Sequence, residues 1–531
     1  MYAPLAAAPS SACAPCHHAI YAAYSQTPMA QSSGPVGSGL IHESFDNPAF
    51  DHAPSQFRYN VVRDRGGYSV EFAGRDGALR GSKPLPYYIG SGATARSYLL
   101  ESAGFLFEAP VAYYARDRKW GLAPAYDTYA YPYLTRPVMP GCLTCHTSFL
   151  SAVPGAQNLY GDPPFGEGGV ACERCHGPGE AHIRKMRAGA SADGPAILNP
   201  AKLAPELRDS ICAQCHLSGE VRVMRPGRDW QSYQPGQRLS DAMTVFVRAD
   251  AGASMKVTSH GEQLAQSACR RASGGRLWCG TCHDPHTVPA PEMKAAWFRQ
   301  KCLGCHDTAA CKETKTARAA KQDDCATCHM PKGSVTDAQH VVYTDHSIPR
   351  RPRVPAAETA VAGLKPFGGG TADPRDTALA YGILASRTHT PADQARALAA
   401  LQQAQRADPD DVEVMVYLAE LYRNGGRQDQ AIPLYRRAIE LDPSQVTAPV
   451  GLGAILMERG QDAEAIRLWQ DALAKNGGLE LTRINLAMAQ WRSGDLTAAE
   501  RTLTEAVELN PGFSTPAELL QKLRAQLRPR K

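Results

Sequence analysis

No run of about 18 apolar residues occurs in the 531-residue sequence, so no transmembrane helix is expected. The start, MYAPLAAAPSSAC, lacks a basic stretch followed by an apolar one. It reads as a mature end whose export signal is already missing. Neither charge sign dominates, with 57 Lys and Arg against 52 Asp and Glu, and no basic footprint of the nucleic-acid kind stands out. A hydrophobic content of 43% with 21% charged residues excludes a disordered chain. The length allows two to four domains. Cysteine disappears altogether after residue 328.

Before that point cysteine is abundant and ordered. Fourteen of the 16 cysteines fall into seven C-x-x-C-H motifs. These are Cys13/Cys16/His17, Cys142/Cys145/His146, Cys172/Cys175/His176, Cys212/Cys215/His216, Cys279/Cys282/His283, Cys302/Cys305/His306 and Cys325/Cys328/His329. Structural zinc needs four tetrahedral ligands and no histidine directly after every second cysteine. A redox dithiol would occur once, beside a βαβ pattern. The repeated motif reads instead as c-type haem attachment, with seven haem c groups expected. Each thiol pair would bond one haem, and the following imidazole would be the proximal iron ligand. Covalent haem c is attached outside the cytoplasm, so a periplasmic or extracellular location follows. Each ferric haem adds about −1, so seven bring the formal +5 to about −2.

The last part of the chain repeats every 34 residues. Ala397, Ala431, Ala465 and Ala499 keep this spacing, as do Leu401, Tyr435, Trp469 and Leu503. Gly426, Gly460 and Gly494 mark turns between paired helices, and a small residue recurs at Ala385, Ala419, Gly453 and Ala487. This pattern resembles the tetratricopeptide repeat. Four repeats span about 378–512, followed by a cap helix. The expected layout is a haem domain at 1–346, a Pro/Gly/Arg-rich linker at 347–377 and repeats with the cap at 378–531. The haem domain should be mostly α, with little regular structure around packed haems. Residues 57–133 hold 11 of the 21 tyrosines and alternate like strands. They read as a small antiparallel β insertion whose tyrosines pack rather than react. Residues 221–258 read as a second, looser strand-like insertion.

Sixteen histidines less seven proximal ones leave nine for the sixth iron positions. His18 directly follows a proximal ligand, and His389 sits in a turn of the first repeat, so neither is favoured. That leaves His42, His52, His182, His260, His286, His340 and His346 as distal candidates, as many as there are motifs. His182 in CHGPGEAH and His286 in CHDPH each follow a motif through a Pro turn. His42 and His52 could equally be ordinary surface or core histidines. No methionine is well placed as an axial ligand, so low potentials are expected. Cys269 and Cys311, the two cysteines outside the motifs, are expected to form a disulfide in an oxidising compartment.

GVACERCHGPGEAH, CGTCHDPH and CATCHMPK together resemble the cytochrome c-554 family of multihaem electron carriers. The resemblance implies electron transfer and makes His182 a distal ligand. The wider layout, haem motifs followed by repeats, is similar to a group of bacterial multihaem cytochromes. The chain departs from the four-haem pattern by three extra motifs and the β insertion, so the family's partners do not carry over. Three functions stay open. The first is an electron wire whose repeats dock a redox partner. The second is an oxidoreductase with one open haem acting on a small nitrogen or sulfur compound. The third is a self-assembling haem filament. The absence of a C-x-x-C-K motif argues against the lysine-ligated haem of one nitrite-reductase class.

Overall fold

A computed structural model of the chain describes residues 8–41, 43–77, 79–189, 197–250, 255–307, 311–337, 341–351 and 362–528. They divide into two units. One comprises Met1–Ser32, Cys145–Phe149 and Glu167–Thr371; the other comprises Ser33–Thr144, Leu150–Gly166 and Ala372–Lys531.

The second unit joins two antiparallel sheets to the helical repeats. Its strands are β1 (Ser33–Pro35), β2 (Ala49–His52), β3 (Phe57–Asp64), β4 (Gly67–Gly74), β5 (Arg80–Leu85), β6 (Tyr87–Ile89), β7 (Ala95–Ser102), β8 (Phe105–Tyr114), β9 (Lys119–Leu122) and β10 (Arg136–Pro137). One sheet runs β2-β3-β4-β5; the other runs β1-β6-β7-β8-β10, with β9 also on β8. The alternation in FRYNVVRDRGGYSVEF closes as a hairpin, Asp64 opposite Gly67. APVAYYARDRKWGLAP closes as another, Tyr114 opposite Lys119. Alternate side chains point inward. Tyr59, Val61, Val70 and Phe72 of one sheet share a core with Tyr88, Tyr98, Phe107 and Trp120 of the other. The tyrosines therefore pack, as expected. Arg96 is fully buried and pairs with Glu43 at 2.8 Å. Glu43 also accepts from the Tyr68 and Tyr98 hydroxyls, so the buried charge is partnered.

Four helix pairs follow: Pro374–Thr388 with Pro391–Ala407, Val412–Asn424 with Gln428–Leu441, Thr447–Glu458 with Asp462–Lys475, and Glu480–Arg492 with Leu496–Leu509. Ser514–Leu527 is the expected cap helix. Asp373, Thr390, Asp411 and Asp495 cap helix starts with their side chains. Gly426, Gly460 and Gly494 adopt positive φ at the turns, a conformation that costs other residues. Tyr435 and Trp469 are fully buried between repeats. A Cβ on Gly453 would come within 2.5 Å of Trp469, which explains the small residue there.

The sheets attach to these repeats, although they lie between the first two haem motifs in the chain. Glu480 accepts from the Tyr131 hydroxyl at 2.9 Å and the Thr135 hydroxyl at 2.8 Å. The Tyr131 ring stacks on Phe513 with centroids 5.0 Å apart. The Leu134 amide donates to Asn510 at 3.2 Å, and the Gln157 amide to the Lys475 carbonyl at 2.8 Å.

The first unit has little regular structure around six complete motifs. Its helices are short, the longest being Pro205–His216. A three-stranded sheet of Val221–Met224, Met243–Arg248 and Leu364–Pro366 forms where the looser insertion was expected. Leu364–Pro366 falls in the expected linker, so part of that segment belongs to this sheet.

Candidate haem sites

Helical backbone explains the C-x-x-C-H spacing. The His17 amide donates to the Cys13 carbonyl at 2.9 Å, and His176 to Cys172, His283 to Cys279 and His306 to Cys302 in the same way. In one such turn, residues i, i+3 and i+4 share a face. Both thiols and the imidazole can then meet one flat group.

Imidazoles from distant segments come close to three of the motif histidines. His17 and His182 have ring centroids 6.4 Å apart and planes 21° apart. His176 and His286 have centroids 6.0 Å and planes 19° apart, and His283 and His346 6.2 Å and 27°. An imidazole nitrogen binds a metal at about 2 Å, so two rings on opposite sides of one iron have centroids about 6 Å apart. The three pairs meet that requirement. Each brings a motif histidine near a distal candidate, and His182 and His286 both lie beside motifs other than the ones they follow.

The ring nitrogens are oriented for this role. His176 Nδ1 lies 2.7 Å from the Leu198 carbonyl, His329 Nδ1 3.1 Å from the Pro349 carbonyl, and His346 Nδ1 2.8 Å from the Thr344 carbonyl. A carbonyl only accepts, so each Nδ1 carries the proton and Nε2 keeps its lone pair for a metal. His286 Nδ1 lies 3.3 Å from the Asp284 carboxylate. Burial lowers the pKa of His146, His176, His283 and His346. It takes His216 down to about 4 and His260 down to about 3, each helped by neighbouring imidazoles. These rings stay neutral at physiological pH, as ligands must.

Thiols of different motifs are also neighbours. Cys13 hydrogen-bonds with Cys172, Cys145 with Cys215, Cys212 with Cys279, and Cys302 with Cys325. Groups attached at these thiols would meet at their edges.

Other candidates are placed differently. His260 lies 5.1 Å from His216 and 4.7 Å from His346, with both ring pairs nearly perpendicular. Among the described residues, no imidazole stacks on His146, His306 or His329. His42 and His340 lie outside the described residues. His52 departs from the expected ligand role: it is buried in the sheet unit, with Nδ1 2.8 Å from the Ser55 hydroxyl and Nε2 3.2 Å from the Asp127 carbonyl. Both its nitrogens are taken. His389 adopts a left-handed conformation at the end of Pro374–Thr388, the expected turn. Cys269 and Cys311, expected to pair, are not bonded to each other here. Cys269 is half-buried on Ala268–Ala272 near Cys282 and Cys302, whereas Cys311 is exposed. Sequence reading missed the supporting groups. Asp284 was visible inside CHDPH, but the Leu198 and Pro349 carbonyls carry no residue-type signal. Gln263, which accepts from the His346 amide at 2.8 Å, carries none either.

Family models match both the motif-bearing and the repeat-bearing parts of the chain. A family model described as cytochrome c554 and c-prime matches residues 131–177, and one for a doubled CXXCH motif matches 271–311. Tetratricopeptide-repeat models match 393–446, 429–480 and 482–513. No curated protein matches the chain. Among solved structures, a crystal structure of MamA is 21% identical, covering 30% of this chain and 86% of that one, with a TM-score of 0.26. MamA from Desulfovibrio magneticus RS-1 is 19% identical, covering 30% and 88%, at 0.27. PilF of Pseudomonas aeruginosa is 20% identical, covering 29% and 72%, at 0.26. Likenesses this low carry no argument about function.

Proposed function

We propose that this chain, a c-type cytochrome fused to C-terminal tetratricopeptide repeats, is an electron-transfer protein with seven covalent haems. The observation that carries this reading is the set of three imidazole pairs at about 6 Å, because a haem iron held by two histidines would keep no position for a substrate. Bound haem supplies reversible one-electron chemistry. His17 with His182, His176 with His286, and His283 with His346 would each hold one iron. His260, His340 and His42 remain candidates for the other motifs; His52 drops out because both ring nitrogens are engaged.

The four thiol contacts give the wire its connectivity. They link motif 1 to 3, motif 2 to 4, motif 4 to 5, and motif 6 to 7. Cys282 also lies near Cys302, which would connect motif 5 to 6. Among the described residues no helix is long and apolar enough to cross a membrane. The reading places the protein outside the cytoplasm, with residues 1–346 carrying electrons and the repeats of 378–531 docking a protein partner.

An EPR spectrum of the oxidised protein tests the reading. Low-spin ferric signals are expected to dominate, because His260, His340 and His42 are three candidates for the four remaining motifs. A strong high-spin signal would mean an open iron and favour a reductase instead. His146, His306 and His329, which no described imidazole faces, are the places to seek it.

A further inference from the structure

We propose that the surface around the sixth motif docks an acidic one-electron redox protein; this rests on the electron-transfer reading above. Residues 294–321 hold seven basic side chains against two acidic ones, Asp307 and Glu313. Their net charge equals the formal +5 of the whole chain. Arg299 and Arg318 are partly neutralised, both pairing with Asp323, at 3.9 and 2.8 Å. These ion pairs gather Lys294–Leu303, Lys315–Ala319 and the start of the seventh motif into one patch. Lys294, Lys301, Lys312, Lys315 and Lys321 remain. All five are exposed, and none pairs with a carboxylate among the described residues. Lys301 lies over the Trp297 ring at 4.8 Å, and Lys321 lies 3.2 Å from the Cys328 thiol.

The redox group would reach the surface at the same place. Cys305 and His306 are both exposed. Cys302 contacts Cys325, so the patch borders two linked motifs. Haems at the two motifs would each offset about one of these charges. An electron thus crosses where five ammonium groups project, and an acidic partner is the one this field attracts. Such steering raises encounter rates by about 10- to 1,000-fold and weakens with salt, because the screening length is about 8 Å at physiological ionic strength.

The test uses the full haem-loaded protein and its Lys294→Glu, Lys301→Glu, Lys312→Glu, Lys315→Glu variant. Reduced flavodoxin is the acidic protein donor, and photoreduced neutral lumiflavin the uncharged one. With flavodoxin at low salt, the variant should react at least about tenfold more slowly than the parent, and salt should slow only the parent. Lumiflavin should reduce both equally. Equal flavodoxin rates alongside intact lumiflavin reduction overturn the docking surface and leave the electron-transfer reading standing. Failure of lumiflavin to reduce the parent refutes that reading instead. If the fourfold variant loads haem poorly, Lys312→Glu with Lys315→Glu replaces it, and a flavodoxin rate unchanged from the parent again overturns the proposal. Lysine-dependent binding to phosphatidylserine vesicles with no change in flavodoxin rate would assign the face to lipid and also overturn it.

Discussion

The imidazole centroids of His17 and His182 lie 6.4 Å apart, one from the first motif and one from just beyond the third. Replacing His182 by Met keeps a sixth ligand but changes its donor from nitrogen to thioether. One haem potential should rise by on the order of 0.1 V or more, within the range of about 0.8 V that axial ligands span. A spectroelectrochemical titration identical to that of the parent would show that His182 ligates no iron.

Seven attachment motifs predict seven thioether-bound haems. The denatured intact mass should exceed that of the polypeptide by seven haem masses, and a Cys13→Ala, Cys16→Ala variant should carry one fewer. A deficit in the parent protein would show which count is right.

Glu480 lies half-buried between Tyr131, Thr135 and Asn510, and burial raises its carboxyl pKa. A raised folded-state pKa favours the protonated form, so the stabilising contribution is full below about 4.5 and fades as pH rises through the folded value. Thermal melts of the full chain should therefore show a gain on going from pH 7 towards 5. Glu480→Gln should flatten that gain. An unchanged slope in the Gln variant would show that another group causes it.

Gly478 abuts the sheet unit so closely that a Cβ would lie 2.6 Å from the Thr135 carbonyl oxygen and 3.1 Å from Pro137. Gly478→Ala should cost about 1–3 kcal/mol by overpacking. Gly426→Ala has open space around its Cβ and should suffer only from its positive φ, losing about 1 kcal/mol. Urea denaturation followed by helical signal separates the two costs. A Gly478→Ala midpoint matching the parent would mean this junction is loose in solution.

Leu481 and Met488 sit two turns apart on Glu480–Arg492 and are 70% and 42% exposed. Large apolar groups this exposed on a repeat helix suit a protein contact. Leu481→Asp with Met488→Asp should leave the haem spectrum intact and weaken partner capture at least about tenfold. Undiminished capture would move the docking face elsewhere.

The sequence showed some of this clearly and hid the rest, for physical reasons. The repeats were legible because each 34-residue unit buries the same positions, so Ala431, Ala465 and Ala499 recur. The β3–β4 hairpin was legible because burial alternates along a strand. Each motif carries its chemistry within one helical turn. What was hidden depends on contacts between distant segments. His52 looks like any other candidate ligand until Ser55 and Asp127 are seen to occupy both its nitrogens. The pairing of His176 with His286 rather than His182 has no local signature. Nor does the attachment of Tyr131 and Thr135 to Glu480, which takes the β insertion into the unit of the repeats.

That attachment sets limits on how such a protein could be rebuilt. The repeat array is contiguous in the chain, so a cut near residue 370 looks like a clean seam for trimming or transplanting it. Yet Tyr131, Leu134, Thr135 and Phe105 find their partners on the far side of that seam. Removing the repeats alone would strand an aromatic loop without its cover. The folding module is thus a discontinuous one: the sheets and the solenoid depend on the same contacts.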